Sequence, residues 1–227
     1  TKGDTRGKSD IGTAVSATES SKVQEIIDKI PFKKGAGDYF DQIKKFPGNT
    51  VARWQAFPVK LRIPEKTPEV WTNYLNSSIE EWNNYLPVEL ATREESADIE
   101  ITWANHLPPK ILAITRLTAF DSKLKVRIYL LRPTYYVPAL SEEVLTEVFT
   151  HELGHALGLF GHSENKKDTM YLMQLISDDG SLSNRNADKV GKRDLNTLKL
   201  VYENPPLPAK FSTTKPLEWT YSHPLQK

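Results

Sequence analysis

The chain is predicted to belong to the α/β (α+β) class, with a twisted mixed sheet packed on helices. Three observations predict it. Short runs alternate apolar and polar residues, the period of a half-buried strand. Other runs repeat apolar residues every three to four positions, the period of an amphipathic helix. These runs follow one another as strand, helix, three strands, helix, loop and helix, an order that places helices against a sheet.

Residues 1–20 are polar and rich in Gly, Ser, Thr and charge, so a disordered tail is expected there. Ser21-Lys22-Val23-Gln24 reads as a capping box. Val23, Ile26, Ile27 and Ile30 form an apolar face before Pro31 stops the helix. Residues 33–49 read as loop, with one short turn around Tyr39-Phe40. Val59, Leu61 and Ile63 mark a first strand. Thr67-Pro68-Glu69 opens a helix whose stripe is Trp71, Leu75, Ile79 and Trp82. Ile99, Ile101 and Trp103 mark a second strand, and residues 111–117 and 126–131 two more.

The most informative stretch follows. His151-Glu152-Leu153-Gly154-His155 places two of the chain's five histidines at i and i+4. On a helix these rings share one face, about 6 Å apart along the axis. That spacing lets two imidazoles grip one metal ion. Glu152 stands about 100° further round, close enough to reach a water beside the ion without replacing a ligand. Ser141-Glu142-Glu143 reads as the helix start. Val144, Leu145, Val148, Phe149, Leu153, Ala156 and Leu157 give it an apolar face. Gly158 can stop it in a left-handed turn, and His162 then returns as a third nitrogen ligand. Three protein ligands and an open position suit a catalytic zinc, whereas structural sites close the fourth position. The plainer alternative for His162 is a solvated loop histidine.

Residues 151–171 resemble the metzincin metallopeptidases, and within them the matrixins. The motifs are HExxHxxGxxH and the methionine turn Asp168-Thr169-Met170-Tyr171. Lys192 to Tyr202 is similar to the terminal helix of matrixin catalytic domains. The likeness covers residues 51–204 in element order. The resemblance implies a metzincin/zincin-like fold and a zinc-dependent metalloendopeptidase that hydrolyses peptide bonds of protein substrates. It implies zinc ligation by His151, His155 and His162, with one catalytic ion. Glu152 is the general base toward a zinc-bound water, and Met170 forms an apolar floor beneath the metal. Tyr171 is assigned either to the pocket, in contact with the reaction intermediate, or to the core. An edge strand through Ala113 and Ile114 is implied to pair with the substrate backbone; an ordinary internal strand is the alternative. Asp38 and Asp41, in an acidic patch of the amino-terminal extension, are candidates for a latency ligand; the alternative is a solvated tether.

Two departures matter. Gly161 occupies the usual position of the third ligand and His162 follows it, so the turn must absorb one residue, which glycine's backbone freedom permits. The methionine turn continues Tyr-Leu instead of Tyr-Pro. A structural second zinc is not expected, because only His106 lies upstream, and calcium sites are not readable.

Composition sets the remaining bounds. The length of 227 residues suits a catalytic domain at 51–204, an amino-terminal extension or pro-segment at 1–50 and a carboxy-terminal tail at 205–227. A net charge of +1 without a basic stripe argues against nucleic acid. No apolar run approaches the roughly 20 residues of a transmembrane helix. Zero cysteines exclude disulfides and a thiolate latency switch. A monomer in an extracytoplasmic or secreted location, acting on protein or peptide, is the expectation. The competing readings are a zinc-holding module that binds peptide without cutting it, an inactive or latent zymogen form, and a zinc hydrolase of another class.

Overall fold

The computed structural model describes residues 17–108, 111–120, 123–132, 142–171, 189–207 and 217–222. Of the disordered tail expected at 1–20, residues 1–16 lie outside these residues, as do the helix start at Ser141 and the loop at 174–185, whereas residues 17–20 are helical and correct that expectation. Among the described residues the fold is mixed α/β, with four α-helices and one six-stranded sheet.

The helices are α1 (Ala17–Lys29), α2 (Glu69–Asn83), α3 (Glu142–Ala156) and α4 (Lys192–Glu203). The strands are β1 (Val59–Arg62), β2 (Val88–Leu90), β3 (Ile99–Ala104), β4 (Ala113–Phe120), β5 (Lys123–Leu131) and β6 (Leu217–Ser222). Sheet order is β2-β1-β3-β5-β4-β6. β1 runs parallel to both β2 and β3, and β3 parallel to β5. β4 runs antiparallel to β5 on one side and to β6 on the other.

Alternation fixes which face of β4 is inside. Ala113, Thr115, Leu117 and Ala119 are buried, while Arg116 and Phe120 are exposed. The buried face lies under α3, which packs on β4 and β5 and against α2. The α2 stripe behaves as its spacing predicts: Leu75, Ile79 and Trp82 are buried. Two tryptophans then tie α3 down. Trp82 Nε1 donates to the Thr150 carbonyl at 2.8 Å, and Trp54 Nε1 to the Ala156 carbonyl at 2.9 Å. Trp82, Leu117, Ile128, Leu153 and Leu157 are among the fully buried side chains of one continuous core. Each large apolar side chain so buried contributes about 1.5–3 kcal/mol.

Several elements differ from their sequence reading. α1 begins by Ala17, so Ser21 lies inside the helix and is not its cap. β2 is three residues long, too short to show a period. β4 and β5 each run three residues beyond expectation, because they complete one another as an antiparallel pair from Ala113↔Leu130 to Phe120↔Lys123. Residues outside 51–204 enter the same core. Ile27, Ile30, Tyr39, Ile43 and Phe46 are buried in it, and residues 217–222 add the sixth strand.

Candidate metal centre

Helix α3 brings His151 and His155 to one face, both fully buried. The chain turns at Gly158, whose φ of 118° is open only to glycine at low cost. His162 then comes back to the same spot. The ligand atoms of His151, His155 and His162 all lie within 4.8 Å of one another. His155 Nε2 is 3.1 Å from His151 Nε2 and 3.2 Å from His162 Nε2.

The outer nitrogens decide the chemistry of the inner ones. His151 Nδ1 lies 2.8 Å from the Thr169 carbonyl and His155 Nδ1 2.7 Å from the Leu159 carbonyl. A carbonyl only accepts, so in both neutral rings the proton sits on Nδ1 and Nε2 presents a lone pair. Two lone pairs about 3 Å apart cannot hydrogen-bond to each other; a cation between them resolves the contact. A tetrahedral zinc with Zn–N bonds of about 2.0–2.1 Å spaces its nitrogens about 3.3 Å apart, close to the separations found. The residues present fit a metal ion, and these three histidines can hold one.

Backbone contacts position His162. Gly161 has no positive φ, so the flexibility expected of it is not what the extra residue uses. A Cβ there would stand 2.3 Å from the Gln42 carbonyl oxygen. Glycine is needed because the 42–43 backbone presses on this turn. Lys44 N–H donates to the Phe160 carbonyl at 2.8 Å, fastening the same approach. On the far side Ser163 N–H donates to the Met170 carbonyl at 2.8 Å, and the Ser163 hydroxyl to Asp168 Oδ2 at 2.5 Å. Arg193 Nε also donates to Asp168 Oδ2, at 2.8 Å.

Residues 168–171 form a turn packed against α3. Met170 is fully buried, and its sulfur sits so close to Gly154 that a Cβ on that glycine would be 2.4 Å away. Tyr171 is half-buried and forms a parallel bridge with Ser163.

Two further residues support the site: Thr115, which carried no motif, and Asp194, which lay in the helix likened to the matrixin terminal helix but with no role assigned. Thr115, fully buried on β4, donates its hydroxyl to Glu152 Oε2 and so holds that carboxylate against the sheet. Asp194, buried in the first turn of α4, accepts from Thr169 N at 2.9 Å, Met170 N at 3.2 Å, Gly191 N at 2.9 Å and the Tyr39 hydroxyl at 2.8 Å. Burial pushes the Asp194 carboxyl above the ordinary range against the lowering effect of these donors. The Tyr39 phenol is raised well above its usual value, first by burial and then by the Asp194 charge. The Thr115–Glu152 and Tyr39–Asp194 contacts span many residues of sequence, which is why no local pattern announced them.

Asp38 and Asp41 are exposed and stand outside the histidine group. Asp38 accepts from the Phe40 amide at 3.0 Å, and its segment runs along α4. The expected open edge at Ala113 and Ile114 is corrected: β4 is an internal strand here, because β6 pairs along its outer side from Ile114↔Ser222 to Ala119↔Leu217. A signal for β6 was present. Leu217, Trp219 and Tyr221 alternate with Glu218, Thr220 and Ser222, which is strand chemistry inside a stretch read as tail.

Among the described residues no helix is long and apolar enough to cross a membrane. The fold and site together define a mixed α/β domain with a three-histidine centre able to bind a metal ion. No protein-family model matches the chain, and no curated protein matches it either.

Proposed function

We propose that this chain is a zinc-dependent metalloendopeptidase of the metzincin type, matrixin-like in its methionine turn and terminal helix. One observation carries the reading. Three histidine Nε2 atoms converge, two of them in the tautomer that offers lone pairs, beside a buried glutamate held by Thr115.

Zinc held by His151, His155 and His162 supplies Lewis acidity toward a scissile carbonyl and toward water near neutral pH. The chain's own residues do the rest. Glu152, next to the first ligand on α3, takes a proton from the attacking water and returns it to the departing amine. Thr115 fixes the rotamer of that carboxylate. Thr169 and Leu159 hold the ligand rings in position through their carbonyls, which sets both tautomer and aim. Met170 fills the space below Gly154 as a soft apolar support. Tyr171, beside it, is retained as a pocket residue. The absence of cysteine leaves no thiol nucleophile to compete with this chemistry. A monomeric, extracytoplasmic or secreted enzyme acting on protein substrates accompanies the reading.

The test is digestion of casein by the zinc-loaded chain with and without phenanthroline, alongside Glu152→Ala. The expected results are chelator-sensitive digestion and a variant that binds zinc equally but loses about 10²–10⁴ in rate. Undiminished activity in Glu152→Ala would remove the glutamate from its role. A zinc-saturated chain that holds peptide and never cuts it would favour the binding module.

A further inference from the structure

Among the described residues β6 has one sheet neighbour, β4, and lies along it antiparallel from Ile114↔Ser222 to Ala119↔Leu217. Directly paired residues project from the same face. Tyr221 pairs with Thr115, whose hydroxyl reaches Glu152, so Tyr221 descends on the side that carries α3. Its ring stacks on His155 at 4.7 Å and 24°, and stands 5.7 Å from the His162 ring at 75°. Its hydroxyl donates to the Phe160 carbonyl. Trp219, on the same face, receives the Lys44 ammonium 4.1 Å from its ring centroid. Glu218 and Thr220, on the opposite face, are exposed.

This arrangement has the form of a bound extended peptide. Main-chain pairing along a strand edge supplies sequence-tolerant affinity, and alternate side chains dip into the site beneath. The edge of β4 offers one row of N–H and C=O groups, so it accepts one strand at a time.

We propose that residues 217–222 are a built-in occupant of the peptide-accepting edge beside the histidine centre, and that an extended peptide binds only when β6 leaves β4. The proposal rests on the peptidase reading of that centre and assigns its regulation: the chain covers its own cleft. Apparent peptide affinity is then the intrinsic affinity reduced by the fraction of molecules with β6 displaced. A strand paired on one side only is the part of a sheet that opens most readily.

The experiment uses the full chain and a fluorescein-labelled peptide with the sequence of residues 217–222, read by fluorescence anisotropy. The first variant is Thr220→Pro/Tyr221→Pro. Successive N–H groups along a strand point to opposite edges, so one of these prolines removes a bond to β4 whichever way the register falls. The second variant, Tyr221→Ala, keeps the backbone and removes only the stacked ring. Circular dichroism and zinc affinity report folding in each. The expected result is that the proline variant binds the peptide about tenfold or more tightly than the unaltered chain, with Tyr221→Ala showing a smaller gain in the same direction. Hydrolysis of an extended peptide should rise in the same order. Equal peptide affinity in the unaltered chain and the folded variants overturns the proposal. If the proline variant does not fold, Tyr221→Ala decides: unchanged affinity overturns it. Failure of the peptidase reading has a different signature, namely tighter peptide binding by the variants with no hydrolysis by any chain.

Discussion

Asp194→Asn is the sharpest probe of what holds the metal centre together. The substitution keeps the side-chain shape and halves its capacity to accept. In the folded chain Oδ2 receives the Thr169 and Gly191 amides, while Oδ1 receives the Met170 amide and the Tyr39 hydroxyl. An amide retains one of those oxygens and turns an NH₂ group toward the other two donors. Each buried donor so orphaned costs about 1–3 kcal/mol, or about 2–6 kcal/mol for the pair. Relief from burying a carboxylate offsets part of that, because desolvation already works against the charge here. The expected net loss is about 2–4 kcal/mol, a fall in Tm of roughly 4–8 °C for a chain of this size. The assay is thermal unfolding of chelator-treated protein at neutral pH, so that bound metal does not mask the change. A second readout is zinc affinity by competition. Thr169 donates its amide to Asp194 and orients His151 through its carbonyl, so affinity should weaken about tenfold. A Tm drop below about 2 °C with unchanged zinc affinity would refute the reasoning, since four accepted hydrogen bonds would then be supporting nothing.

Two other outcomes are expected. Gly161→Ala places a methyl 2.3 Å from the Gln42 carbonyl oxygen, a clash between backbones that no rotamer relieves. The turn carrying His162 must shift, so stability should fall by about 1–3 kcal/mol and zinc affinity by about tenfold or more; competition titration checks it, and unchanged affinity would show that the close approach does not hold the third ligand. Tyr39 gives a pH signature. Its phenol is raised by burial and by the Asp194 charge, so the folded state keeps a proton that the unfolded state releases near pH 10. Its contribution is complete below that pH and is lost as pH rises above it toward the folded value. In urea unfolding at pH values of about 8 and about 11, Tyr39→Phe should narrow the difference between the two midpoints, and an unaltered difference would dissociate Tyr39 from the alkaline loss.

The three histidines that could hold a metal ion were legible because their spacing is local. Two histidines one helical turn apart, a glycine where the helix must stop and a third histidine just beyond are all readable within twelve residues. Regular periods likewise placed α2, α3, β1 and β3. What was not legible depends on pairing across the chain. Whether β4 is an edge or an interior strand is a property of its neighbour, and that neighbour is drawn from residues 217–222. Thr115 reads as one more strand residue until the fold sets it against Glu152. Tyr39 and Asp194 meet from opposite ends of the sequence. The segment around Ile43 and Phe46 looks loop-like because its burial follows no period. The sequence points to backbone freedom at Gly161, whereas in the fold the residue 42 carbonyl leaves no room there for a side chain.

The groups that aim His151 and His155 are main-chain carbonyls, those of Thr169 and Leu159. No amino-acid replacement deletes a carbonyl. Positions 159 and 169 can therefore drift in side chain while the rings keep their orientation, so long as the backbone follows the same path. The vulnerability moves to the residues that set that path: Gly158, whose left-handed turn delivers the Leu159 carbonyl, and Asp194, whose carboxylate ties down Thr169.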